Sequence, residues 1–297
     1  MFALIAASLI VLAVTGIAHA APTCFGKPAS RGSFLGGPGD DVINGTSGND
    51  VIIGGGGADT IDGKGGADLI CGGPDVDATF DGDTLTGGTG NDKINGNLAA
   101  DAIFGGTGSD TLQGGAGTDR LNPNAGNDTV DGGSETDGVV YTFAPAAVTV
   151  NLTTGKATGE GTDTLKSIED IDGSTFKDSL TGSSGPNFVF ANSGNDFIAG
   201  TQGNDDLNGG MGNDTIQGGD NDDNMSGDEG NDTIEGGPGV DFETGGPGSD
   251  SMKAGANDDS LDGFDGVSGN DSLDGGPQDT SDQCSADTGD TIVNCNP

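Results

Sequence analysis

Aspartate returns every nine residues early in the chain, at Asp41, Asp50, Asp59 and Asp68, each time two residues ahead of an isoleucine: Ile43, Ile52, Ile61 and Ile70. The units read GGPGDDVIN from Gly36, GTSGNDVII from Gly45, GGGGADTID from Gly54 and GKGGADLIC from Gly63. A carboxylate repeated at fixed spacing is a metal-binding pattern if the repeat stacks. Two carboxylates brought close together do not both stay ionised cheaply unless a cation sits between them. Ligands that are all oxygen, from carboxylates and backbone carbonyls, select a hard ion, and flexible geometry favours Ca2+ over Mg2+.

The same spacing says what must position these groups. The first six residues of each unit are rich in glycine, which admits left-handed backbone angles and lets carbonyls turn inward, so they form a turn. The last three are β-prone with the apolar residue in the middle, so they form a very short strand with only that side chain facing inward. Two units complete one coil, and turns two units apart stack at the spacing of paired strands, about 4.8 Å. Sixth-position carboxylates then become neighbours on each edge. An unslipping nonapeptide period is the mark of a solenoid.

With this many in-phase copies the chain resembles the RTX, or hemolysin-type calcium-binding, repeat family. The resemblance implies an all-β parallel β-roll in which aspartates of stacked turns and carbonyls of glycine-rich loops bind multiple Ca2+ ions. Carried over position by position, it makes metal ligands of Asp41, Asp50, Asp59 and Asp68 and, after a loop insertion, of Asp83, Asp92, Asp101, Asp110, Asp119 and Asp128, with Asp137 next in phase. In a second block it makes ligands of Asp196, Asp205, Asp214, Asp223, Asp232, Asp241, Asp250, Asp259 and Asp271. The repeats cover about two-thirds of the chain.

Several units depart from the pattern. Asn187 takes the aspartate place in GSSGPNFVF and removes a charge there. Glu243 occupies the apolar place in GGPGVDFET, so either the strand shifts by one to bury Phe242 or the roll ends locally. PNAGNDTVD begins with Pro123 in place of glycine, and GNLAADAIF has Ala99 at its fourth place, which predicts a looser turn around a retained Asp101.

Composition points the same way. With 9 basic and 48 acidic residues the formal charge is -39, which roughly twenty divalent ions would neutralise. Without ions, repulsion along an acidic, glycine-rich, aromatic-poor chain outweighs a small apolar gain and predicts disorder. One aliphatic per strand makes a thin core, so ion binding must supply much of the folding free energy. The acidic surface argues against nucleic acid and anionic membranes as partners.

The chain divides by texture into 1–20, a signal peptide; 21–35, an N-terminal segment; 36–141, the first β-roll block; 142–181, a β-rich segment; 182–274, the second block; and 275–297, a cysteine-bearing cap. The apolar run MFALIAASLIVLAVTGIAHAAP ends in Ala18-His19-Ala20, which fits cleavage before Ala21, a retained anchor being the competing reading. No later segment is apolar enough to span a bilayer. Among four cysteines, proximity favours Cys284 with Cys295 and leaves Cys24 with Cys71, though three pairings are formally open. Each such bridge staples one end of the roll, the longer loop contributing roughly 4 kcal/mol in the chain-entropy view. Zinc-like spacing is absent from both pairs.

Between the blocks, Val148, Val150 and Leu152 alternate as a strand, and Leu165, Ile168 and Ile171 form a further apolar strip. Asp163, Glu169 and Asp170 in this segment read as solvated charges. Catalysis has little support: no stretch of domain size lies outside the repeats, and the only histidine, His19, leaves with the signal. A pore-forming toxin needs long apolar helical regions that do not follow the signal, and the Thr89 and Thr107 row that ice binding would require stops after those two residues. The sequence therefore predicts a secreted, extracellular, non-enzymatic calcium-binding protein with a structural or adhesive task. Its partners are calcium ions and cell-surface or matrix components. The alternatives are an accessory matrix- or surface-binding module, or the repeat portion of a protein related to secreted RTX enzymes or toxins.

Overall fold

The structure, a computed structural model, describes residues 23–28, 34–73, 82–267, 269–276 and 281–295. The expected signal segment, 1–20, lies outside the described residues.

Successive strands alternate between two sheets, one of 13 strands from Val42–Asn44 to Gln283–Ala286 and one of 16 from Phe34–Leu35 to Thr291–Val293. Pairing within each sheet is parallel through the repeats. Leu85, Ile103 and Leu121 lie side by side, as do Ile94, Leu112 and Val130, so one coil is two nonapeptides. An all-β parallel β-roll follows directly from the period. Among the described residues there is no helix.

The first strands of the repeats are three residues long, as at Val42–Asn44 and Thr60–Asp62, and from Thr84 to Ser134 they lengthen to six or seven. Thr84–Thr89 and Ala102–Gly108 pair through Gly88 with Gly106 and Thr89 with Thr107, so the ladder runs round the corner into the glycines. Glycine makes that possible because neighbouring backbones come so close. A Cβ on Gly212, which has φ of 135°, would sit 1.3 Å from the Gly194 carbonyl oxygen.

The core is a single seam. Ile61, Leu85, Ile103 and Leu121 from one sheet and Ile70, Ile94, Leu112 and Val130 from the other are all buried. Burying one such side chain is worth about 1.5–3 kcal/mol. Fixing the backbone of one residue costs about 1–2 kcal/mol, so a nine-residue unit with one aliphatic leans on something besides apolar burial.

Two expectations are corrected here. The strand at Glu243 neither shifts nor ends the roll: Phe242 is 48% exposed and Glu243 is 0% exposed, between Met225 and Leu261 in the ladder. The two flanking strands hold it in register through Asn224 and Ser260 on either side of Phe242. The turn at Ala99 is no looser than the rest. Ala99 takes the left-handed φ of 78° and is buried, and Asp101 accepts the Asp83 amide at 2.7 Å like its neighbours. An alanine pays about 1–2 kcal/mol for that angle, less than a broken ladder would cost.

Between the two runs of repeats the 13-stranded sheet continues through Gly138–Val140 and Asp170–Asp172. In the other sheet Thr149–Asn151, Lys156–Thr158 and Thr162–Lys166 make an antiparallel meander, inserted between Thr129–Ser134 and Ser179–Thr181. Val150, Leu165 and Ile171 fill the seam there, with Tyr141, Ala144, Val148 and Ala157 added to it. At the ends, Cys24 is bonded to Cys71 and Cys284 to Cys295, over separations of 47 and 11 residues. The first bridge ties the Thr23–Cys24 and Lys27–Pro28 hairpin to the opening coils, against Ile53 and Leu69.

Candidate metal centre

Each sixth-position aspartate enters its turn just before a strand, and stacking places it directly above the aspartate one coil later. The backbone amide of Asp92 donates to Asp110 Oδ1 at 2.8 Å, and that of Asp110 to Asp128 Oδ1 at 2.7 Å. Two such columns run along the roll, one on each edge. The first carries Asp41, Asp59, Asp83, Asp101, Asp119 and Asp137, then Asp205, Asp223, Asp241, Asp259 and Asp282. The second carries Asp50, Asp68, Asp92, Asp110, Asp128 and Asp163, then Asp178, Asp196, Asp214, Asp232, Asp250 and Asp271. Every aspartate expected from the sequence stands in one of these columns.

From Asp59 and Asp68 onward one oxygen of each carboxylate is taken by a backbone amide and the other points into the turn, whereas Asp41 and Asp50, which open the columns, accept at Oδ2 from the Gly37 amide at 2.5 Å and the Thr46 amide at 2.6 Å. Oδ2 of Asp59, Asp68, Asp92, Asp110, Asp119, Asp128, Asp137, Asp196, Asp205, Asp214, Asp223, Asp232, Asp241, Asp250 and Asp271 is buried without a hydrogen-bond partner. Leaving a buried acceptor unmet costs about 1–3 kcal/mol, and more when it is charged. Beside most of these Oδ2 atoms lie a first-position glycine and the carbonyl of the next coil, Pro123 and Ala191 taking the glycine's place in the units of Asp128 and Asp196. A Cβ on Gly200 would meet Asp205 Oδ2 at 2.3 Å and the Gly218 oxygen at 2.5 Å. A cradle of carboxylate and carbonyl oxygen closed to side chains is chemically suited to a hard divalent cation.

Burial holds these carboxylates well above the usual 3.8: to about 7 for Asp128, Asp137, Asp196, Asp223 and Asp232, and to about 6 for Asp68, Asp110 and Asp205. Desolvation is the main cause, offset in part by the amide donor; for Asp232 the charges of Asp214 and Asp250 push the same way. Among the described residues no three acidic, cysteine or histidine side chains converge on one point, so any ion here is held by one or two carboxylates plus carbonyls.

The departures have distinct outcomes. Asn187 keeps the ladder without a charge, its amide donating to Asp205 Oδ1 at 2.8 Å and its Nδ2 to the Glu169 carbonyl at 2.6 Å. Pro123 is buried and Asp128 still bridges Asp110 and Asp163. Asp163 is buried at 1% exposure, not solvated as its surroundings in the sequence imply. It was missed although TGEGTDTLK, from Thr158, is itself a near-complete nonapeptide inside the intervening segment. Asp178 sits in GSTFKDSLT, which lacks the inner glycine, and Asp282 follows an irregular spacer, so neither stood out. The Asp137 amide meets Glu169 Oε2 at 3.0 Å, which makes Glu169 a further member of the first column.

The sequence pattern of the RTX calcium-binding nonapeptide repeat, in four-copy units, matches residues 35–70, 77–112, 104–139, 172–207, 208–243 and 244–279. That is well over half of the chain. The chain belongs to the RTX calcium-binding repeat family. No curated protein matches it as an individual relative. Family, fold and oxygen-lined turns agree on a calcium-binding repeat protein, and the 172–207 match extends the repeat pattern over Asp178.

Proposed function

We propose that this RTX repeat protein is secreted, has no enzymatic activity of its own, and folds around calcium to serve a structural or adhesive task outside the cell. The observation that carries this reading is a buried Oδ2 without a hydrogen-bond partner that recurs on both edges, as at Asp59, Asp119, Asp205, Asp223 and Asp241 on one and Asp68, Asp92, Asp110, Asp196, Asp214 and Asp232 on the other. In this reading the aspartates from Asp41 to Asp128, Asp137, and those from Asp196 to Asp271 hold the ions, each shared between neighbouring turns of its column. The bound ion supplies positive charge that lets the stacked carboxylates stay ionised in a dry turn. The chain supplies the rest: backbone amides orient the carboxylates, and in most units a first-position glycine leaves room beside the turn-side oxygen.

Two disulfides suit an oxidising compartment, and the family setting and the apolar N-terminal run support export. A formal charge of -39 leaves calcium-bridged surfaces and extracellular matrix as the fitting partners. The test is a calcium titration of the mature chain starting in chelator. Circular dichroism is expected to pass from coil-like to β-rich at roughly 0.1–1 mM free Ca2+, the range of extracellular sites. An unchanged spectrum would sink the reading.

A further inference from the structure

Among the described residues, Glu243 is the one buried charged side chain outside the two aspartate columns. It is completely buried, neither carboxylate oxygen has a hydrogen-bond partner, and its ladder neighbours are Met225 and Leu261. The Gly236 amide faces it without reaching hydrogen-bond geometry. Nearby charges are Asp241, Asp259 and Glu235, all of the same sign. The nearest lysine in sequence, Lys253, turns outward to Glu235.

Equivalent turns show where its oxygen points. Inside the turn of Gly63, a Cβ would meet Asp68 Oδ2 at 2.5 Å, the Gly87 oxygen at 2.6 Å and a methyl of Ile70 at 3.1 Å. The turn of Gly173 is built alike, with Asp178 Oδ2 at 2.8 Å, the Ala191 oxygen at 3.0 Å and a methyl of Leu180 at 3.1 Å. At Gly236 the corresponding contacts are Asp241 Oδ2 at 2.5 Å, the Ala254 oxygen at 2.6 Å and Glu243 Oε1 at 2.9 Å. Glu243 therefore places an oxygen where other units place a methyl group. Three oxygens, two of them from carboxylates, converge on one side of Gly236.

We propose that Glu243 is an inward-facing calcium ligand that turns the 236–241 turn into a two-carboxylate cation site, with Asp241 and the Ala254 carbonyl as its partners. The proposal rests on the calcium reading of the columns and adds to it a ligand from the core side of the strand. A second carboxylate raises the charge of the site, which tightens hard-ion binding. This site is then among the first to fill and the last to empty, and it secures the coils on either side of it.

The test uses the full mature chain with Glu243→Leu and Glu243→Gln, followed by calcium calorimetry and by hydrogen exchange across 224–262. Leucine is the residue at Leu207 and Leu261 in the same column of the seam, so the leucine variant has a place to fold into. Expected for both variants is the loss of one ion, or at least about tenfold weaker binding in the tightest class, with protection of 224–262 lost at limiting calcium. If Glu243→Leu binds as many ions as tightly and folds at lower calcium, Glu243 is only a neutral acid in the core and the proposal is wrong. Failure of the unaltered chain to bind calcium at all would instead remove the column reading, and this site with it.

Discussion

The coils of the repeats and the segment between them bury the same kind of carboxylate and answer it differently. In the repeats Asp128 and Asp196 each keep a buried oxygen with no donor. Between them in the same column, Asp163 Oδ2 accepts the Tyr141 hydroxyl at 3.0 Å, and Asp178 accepts the Ser174 amide at 2.5 Å and its hydroxyl at 2.7 Å. Val148 then stands in the turn where an aspartate is due, its amide donating to Asp178 Oδ1 at 2.7 Å. The packing differs in step. Tyr141, Ala144, Val148, Val150, Ala157, Leu165 and Ile168 make a local apolar cluster, whereas a repeat unit offers one aliphatic. The column carboxylates either meet a further donor, as Asp163 and Asp178 do in the thickly packed segment and Asp50 does from Thr46 in the opening coils, or keep a buried oxygen that suits a cation.

The largest expected effect breaks the two regions apart. In chelator near neutral pH, hydrogen exchange should show protection lost throughout 84–134 and 197–263 and retained longest at 139–171, where stability comes from packing and internal hydrogen bonds. Simultaneous loss across all three would mean that the intervening segment depends on ions as much as the repeats do.

A pair of substitutions sharpens the same contrast. Asp214→Ala removes a carboxylate that stacks between Asp196 and Asp232, so calorimetry should find more than one ion lost and lower cooperativity. Asp163→Asn keeps an acceptor for Tyr141 and should leave the number of bound ions unchanged. Equal losses from both would show that Asp163 holds an ion too.

A smaller effect concerns protons standing in for calcium. Asp128, Asp137, Asp196, Asp223 and Asp232 are raised to about 7 in the folded chain by burial, against an ordinary 3.8. The folded state therefore binds protons more tightly than the unfolded one. Stability from this source is complete below about pH 4 and is lost as pH rises through about 7. In chelator, β structure by circular dichroism should be greater at pH 5 than at pH 7.5. Loss of structure on that acidification would contradict the burial of the columns.

Much of this was readable in the sequence because the period was. An aspartate and an aliphatic two residues apart, repeated every nine residues, determine the turn, the inward side chain and the two-unit coil, and these gave the columns through Asp128 and from Asp196. What escaped lies where pairing in space replaces period in the chain. Asp163 and Asp178 rejoin the column across an antiparallel meander, and Asp163 lies 35 residues after Asp128 instead of the usual 18. Glu243 was read by its polarity, which predicts exposure. Its strand is held on both sides by neighbours already in register, so the carboxylate is buried regardless.

The smallest expected effect isolates the hydrogen bond that distinguishes the two regions. Tyr141 is fully buried, its hydroxyl is raised above its ordinary value by burial and by Asp163, and it therefore stays protonated as the donor. Tyr141→Phe keeps the ring and removes only that donor, leaving Asp163 with a bare buried oxygen like those of the repeats. In saturating calcium the loss should be about 1–3 kcal/mol by denaturant unfolding, the cost of one unmet buried acceptor. The same substitution should make protection at 139–171 depend on calcium, because in the proposed reading a carboxylate without a donor is where the column takes an ion. If stability falls while calcium dependence there does not change, the hydroxyl is a packing detail, and the contrast between donor and cation does not explain why the segment differs from the repeats.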